Sequence, residues 1–147
     1  MLNEVNIKVK GILENVALVR VIVTSILSKT NITLDELSDI KTAVSEAVSN
    51  AIEHGYTGEN TGDVDIYIKL GEVDRMYYFW IKVVDTGIGI EDVELATTPT
   101  YTTKPELEHA GMGFTIMETF MDEVVIDSKL GEGTTVTMTK KLKSIKA

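Results

Sequence analysis

The chain has 147 residues, 14 Lys+Arg against 23 Asp+Glu, 44% hydrophobic residues and no cysteine. That length and apolar content fit a single domain over residues 1–147, able to bury roughly two thirds of its unfolded surface, and they exclude global disorder. A formal charge of −9 repels phosphate backbones, so direct nucleic-acid binding is not expected, and the missing cysteines exclude disulfides, zinc–thiolate sites and a thiol nucleophile.

At the N-terminus, Val5, Ile7 and Val9 alternate with Asn6, Lys8 and Lys10, the period of a half-buried strand that Gly11 ends. Such alternation is unlike a signal peptide, and no apolar run approaches the roughly 18 residues of a membrane span. A cytoplasmic protein without a membrane partner is expected. From Asn15 to Lys29 the segment is apolar on most sides and predicts a buried helix, although its β-branched residues also suit a strand.

Thr33 and Glu36 form a capping-box pattern, and Leu37, Ile40, Val44, Ala47 and Ala51 then recur at helical spacing until Gly55. After a polar loop, Val64–Leu70 and Met76–Val84 predict two strands joined through Gly71–Arg75, the second running into Asp85-Thr-Gly-Ile-Gly89. Glu91–Ala110 holds no period and carries Pro99 and Pro105, which predicts a loop long enough to need a function. Gly111-Met112-Gly113 then opens a short helix, FTIMETFM, and a last hairpin pairs Glu123–Ser128 with Thr134–Leu142. The order β-α-α-β-β-loop-α-β-β predicts an α+β fold, an α/β sandwich with helices on one face of a mixed, largely antiparallel sheet.

Six of the eleven glycines form Gly-x-Gly pairs at 87/89, 111/113 and 131/133. They either make turns or let a ligand approach the backbone, and amides at a helix start after Gly111 would suit an anion. None completes a P-loop or a Rossmann fingerprint. Asp85 either begins an ordinary turn or accepts a hydrogen bond from an exocyclic amine. Glu46, Asn50 and Glu53 lie on a helix face away from the apolar stripe. That face is either solvated or supplies an Asn oxygen for Mg²⁺ and a Glu for a proton. Two histidines do not build a zinc triad, and His54 suits a helix C-terminus. Arg20 either snorkels or anchors an interface. Lys140, Lys141, Lys143 and Lys146 read as a solvated, fraying tail.

In order, Glu46-x-x-x-Asn50, Asp85-x-Gly-x-Gly89, Gly111-x-Gly113 and Gly133-Thr134 resemble the four nucleotide-binding boxes of the GHKL ATPase superfamily, which includes gyrase, Hsp90, histidine kinases and MutL. SEAVSNAIEHGY, VVDTGIGI, TTKPE and GMGFTIME look like the anti-sigma-factor serine kinases of endospore-forming bacteria. The resemblance spans nearly the whole chain and implies a Bergerat-type fold that binds ATP or ADP with Mg²⁺. It further implies phosphorylation of a serine on an anti-anti-sigma factor, and capture of a sigma factor by a homodimer. By position it assigns Asp85 to the adenine amine, with Gly87, Gly89 and Thr134 beside the ring. Asn50 would hold Mg²⁺ and Glu46 would be the catalytic base. Amides of Gly111, Met112, Gly113 and Phe114 would wrap the phosphates under a lid of about Thr98–Ala110, where Lys104 or His109 would meet the γ-phosphate. The chain departs from the pattern at His109-Ala110, where such kinases commonly carry Arg-Ser, so a fixed cation gives way to one that titrates near neutrality.

Two other readings compete. A regulatory module that binds ATP and sequesters a partner without phosphotransfer would need Asn50 and the glycines but no Glu46 base. A histidine-kinase ATPase domain would need a preceding phosphoacceptor helix, which this sequence does not show.

Overall fold

The structure, a computed structural model, describes residues 1–55, 62–87 and 105–146. Gly89, Lys104 and the lid positions before 105 lie outside them, as do the side chains of His54 and His109. The elements are β1 (Asn3–Lys10), α1 (Glu14–Leu27), a short 3-10 turn (Ser28–Thr30), α2 (Leu34–Gly55), β2 (Asp63–Val73), β3 (Met76–Asp85), α3 (Pro105–Phe120), β4 (Glu123–Lys129) and β5 (Gly133–Ile145).

The strands form one sheet in the order β1-β2-β3-β5-β4, and every pairing among the described residues is antiparallel. Alternation decides which face is buried. In β2 and β3, Val64, Ile66, Ile68, Leu70, Phe79, Ile81 and Val83 are buried, while Tyr67, Lys69, Trp80 and Lys82 lie on the other face, with Lys69 Nζ 4.6 Å from the Trp80 ring centre. The helices cover the first face: Val23 and Leu27 of α1, Ile40, Val44, Ala47 and Val48 of α2, and Phe114 and Met117 of α3 complete the core. The α+β sandwich expected from element order is the fold observed.

Several local expectations change. The 15–29 segment is helical, but α1 buries only Val19, Val23, Ile26 and Leu27, and leaves Leu18 and Val21 exposed. Thr33 does cap α2, its Oγ1 accepting the Glu36 N–H at 3.2 Å. The Glu36 carboxylate, however, accepts the Lys143 N–H at 3.1 Å and so ties the helix start to β5.

The β2–β3 turn is tighter than Gly71–Arg75. Val73 pairs with Met76, and Asp74 and Arg75 take φ of 51° and 67°, so Gly71 lies within the strand, opposite Tyr78. The basic tail is not a frayed end: β5 continues to Ile145, Arg75 Nη2 donates to the Lys146 carbonyl at 2.8 Å, and Lys146 Nζ meets Glu72 at 3.1 Å. Finally, α3 begins at Pro105, a residue suited to the first helical position, so Gly111 and Gly113 lie inside a helix rather than opening one.

Candidate active site

Glu46 and Asn50 stand one turn apart on α2, on the face that meets α3. The expected solvated face is therefore covered at Asn50, which is 7% exposed. Among the described residues neither Asn50 Oδ1 nor Nδ2 has a hydrogen-bond partner. An unpaired buried amide costs about 1–3 kcal/mol, which makes this position anomalous for a purely structural residue.

Gly113 explains the geometry. A Cβ built there would lie 2.6 Å from Asn50 Nδ2 and 3.0 Å from Glu46 Oε2. The missing side chain keeps α3 from crowding both polar groups. Phe114, next in sequence, is 2% exposed and anchors α3 in the core, whereas Met112 is on the surface. The expectation that amides 111–114 lie at a helix start is corrected in this conformation, since α3 begins six residues earlier and they are interior helical amides.

A second cluster forms where β3 ends. Asp85 is 5% exposed. One carboxylate oxygen accepts the Gly87 N–H at 3.0 Å, and the Thr134 N–H supports the carboxylate as well. Burial outweighs both bonds and raises the Asp85 pKa from 3.8 to about 6. Gly133, at φ +99°, makes this corner possible: a Cβ there would run into the Asp85 backbone and come within 2.7 Å of Thr86 Cα.

The register sets Asp85 opposite Thr134, and Thr134 opposite Ser128. All three fall on the face of the buried Val83, Val136 and Ile81, so they form one polar row across β3, β5 and β4 on the helix-covered side. Ser128 escapes a reading of the sequence, because its place beside Thr134 follows only from the turn at 130–132 and the register that turn imposes.

Asn50 supplies an oxygen of the kind hard cations take, and Glu46 lies close enough to share the same space beside Gly113. The residues present thus fit a Mg²⁺–phosphate group at one end and an amine-bearing ring at Asp85. Arg20 is elsewhere, exposed on α1, where it lines a groove of about 490 Å³ with Ala17, Val21, Thr24, Ser25 and Lys41. No helix among the described residues is long and apolar enough to cross a membrane.

Residues 10–140 match the family described as the histidine kinase-like ATPase domain. The chain is 49% identical over 147 residues to an anti-sigma F factor of Bacillus licheniformis, covering 100% of this chain and 98% of that one. It is 48% identical over 147 residues to the anti-sigma F factor of Bacillus subtilis (strain 168), with the same coverage. With the anti-sigma F factor of Clostridium novyi (strain NT) it shares 50% over 132 residues, 90% of each chain. The crystal structure of the RsbU and RsbW domains of a Mycobacterium tuberculosis protein superposes with a TM-score of 0.67 at 21% identity, covering 98% of this chain and 33% of that one. That last likeness bears on the fold. By the family match over residues 10–140 and these full-length identities, the chain belongs to the histidine kinase-like ATPase domain family and, within it, to the anti-sigma F factors.

Proposed function

We propose that this protein is an ATP-dependent protein-serine kinase that also sequesters a sigma factor, sigma F of the sporulation programme, in the cytoplasm. Its substrate would be a serine of the cognate anti-anti-sigma factor, inactivated by phosphorylation. The observation that carries the reading is the buried Asn50 amide beside Glu46, which has no hydrogen-bond partner among the described residues. A fold keeps such a group when a ligand satisfies it.

In this reading Asp85 accepts the adenine amine and Asn50 Oδ1 holds Mg²⁺. The metal, when bound, screens phosphate charge. Glu46 takes the proton of the attacking serine hydroxyl. Gly113 leaves the space these groups need. The segment of about Thr98–Ala110 acts as the lid, with Lys104 and His109 as its cations toward the γ-phosphate, and amides 111–114, interior to α3 in this conformation, become phosphate donors only if the start of α3 unwinds on binding. Arg20, beside Lys41 in the α1–α2 groove, anchors acidic partner surface. A homodimer completes the sequestering unit.

The test is phosphotransfer from labelled ATP to the anti-anti-sigma protein. Glu46→Gln should keep nucleotide affinity yet lose transfer on the order of 10²–10⁴-fold. Wild-type nucleotide binding without any transfer would favour a regulatory module that sequesters without chemistry.

A further inference from the structure

Ser128 belongs to none of the groups assigned so far, and its hydrogen bonds fix the polarity of the ring-binding corner. Its Oγ donates to the Gly133 carbonyl at 3.0 Å and lies 2.7 Å from Thr134 Oγ1. A serine hydroxyl has one hydrogen, and a carbonyl oxygen accepts only. With that hydrogen on the Gly133 carbonyl, the short contact to Thr134 is a bond only if the Thr134 hydroxyl is the donor. Thr134 Oγ1 then has no hydrogen left and presents lone pairs alone. Asp85 shares the row, and its carboxylate is likewise an acceptor once ionised.

The geometry points to Ser128 as a positioning residue for nucleotide selectivity: by accepting the Thr134 hydrogen, it makes Thr134 an acceptor that reads a purine amine and rejects a purine carbonyl at the same place. This rests on the nucleotide-binding reading above and deepens it. Asp85 alone rejects a carbonyl by leaving two acceptors face to face. Without Ser128, the Thr134 hydroxyl could rotate and donate to a carbonyl, relieving half of that mismatch. The row therefore discriminates an aminopurine from an oxopurine through a residue placed behind the one that would touch the ligand.

The test measures dissociation constants for ATP and GTP, each with Mg²⁺, on the full chain. Wild type should prefer ATP. Ser128→Ala should shrink the GTP-to-ATP ratio of dissociation constants by about tenfold, the scale of one hydrogen bond switched from mismatch to match, chiefly by improving GTP. Ser128→Thr keeps the hydroxyl and should retain the wild-type ratio. Ser128→Cys, of similar bulk but a weak donor and acceptor, should move the ratio the same way as alanine and guards against a fold defect peculiar to that variant. A structural role alone would weaken both nucleotides together, and an unchanged ratio in Ser128→Ala and Ser128→Cys overturns the assignment. Wild type that binds neither nucleotide would overturn the nucleotide site itself and this inference with it.

Discussion

Asp85→Asn should make the nucleotide-free protein more stable while impairing ligand binding, with opposite pH dependences for the two effects. Burial sets the Asp85 pKa at about 6, against 3.8 for an ordinary aspartate. Between those values the folded protein keeps a proton that the unfolded chain has released. Stability therefore falls as pH rises toward and through 6, and above that the ionised carboxylate costs about 3 kcal/mol at 1.36 kcal/mol per pKa unit. Well below the ordinary value of 3.8, by about pH 2, both states are protonated and the cost vanishes. Asparagine keeps the shape without the charge, so the variant should gain up to about 3 kcal/mol over wild type at pH 8 and only about 0.5 kcal/mol at pH 4.

Binding runs the other way, because an amine donor needs the carboxylate. The ionised fraction is about 0.99 at pH 8 and about 0.09 at pH 5, so wild-type ADP affinity should drop about tenfold across that range from this group. Asp85→Asn should bind about 1–3 kcal/mol more weakly at pH 8 and lack that drop. Protonation of the ADP phosphates is common to both proteins and cancels in the ratio of their affinities. Thermal unfolding and titration calorimetry from pH 4 to pH 8 read both effects. Parallel profiles for wild type and variant, in stability and in binding, would refute the reasoning.

Asn50→Ala should abolish Mg²⁺-dependent nucleotide retention while leaving apo stability unchanged or higher, since it removes an unpaired buried amide; equilibrium dialysis with and without EDTA, alongside a melting curve, reads both. The two tight glycines should separate cleanly. Gly133→Ala forces a Cβ into the Asp85–Thr86 backbone at φ +99° and should lower stability by more than about 2 kcal/mol by denaturant unfolding. At Gly113 the obstructing atoms are side-chain ends, so Gly113→Ala should fold with a smaller loss but displace Asn50 and Glu46 and weaken Mg–ADP binding at least about tenfold.

What the sequence conveyed was local. Strict alternation made β1 legible, and the 3.6-residue stripe ending at Ala51 made α2 legible, because each pattern is complete within its own element. Misreadings arose where tertiary partners decide. Gly71 looks like a turn residue, yet Asp74 and Arg75 accept the positive φ that closes the hairpin. Pro105 looks like a loop residue, yet it starts α3. The lysines near the end look solvated until Arg75, Glu72 and Glu36 come to meet β5 from distant positions. In the site, the spacing of Glu46 and Asn50 was visible, but the burial of Asn50 depends on α3 packing over it. The Asp85–Thr134–Ser128 row requires two strand registers at once.

These exceptions share a physical cause. A sandwich optimised only for stability would not bury an amide without a partner, raise a carboxyl toward pH 6, or bend a strand end through a glycine at φ +99°. Each choice lowers the stability of the empty fold, and together they occur at the two places where the superfamily boxes converge. On the proposed reading Asn50 would gain a partner from a ligand, and the ionised Asp85, which already accepts the Gly87 and Thr134 N–H groups, would gain a further donor from an amine. Ligand binding would then relieve two costs, the unpaired amide of Asn50 at the phosphate end and the desolvated carboxylate of Asp85 at the ring end. A compound reaching just one of them, such as adenosine at Asp85 or pyrophosphate with Mg²⁺ at Asn50, relieves only one of these costs. A molecule spanning both is favoured beyond the sum of the two fragments, because it loses its freedom of motion once rather than twice. That is the physical sense in which the empty fold is built around a nucleoside phosphate.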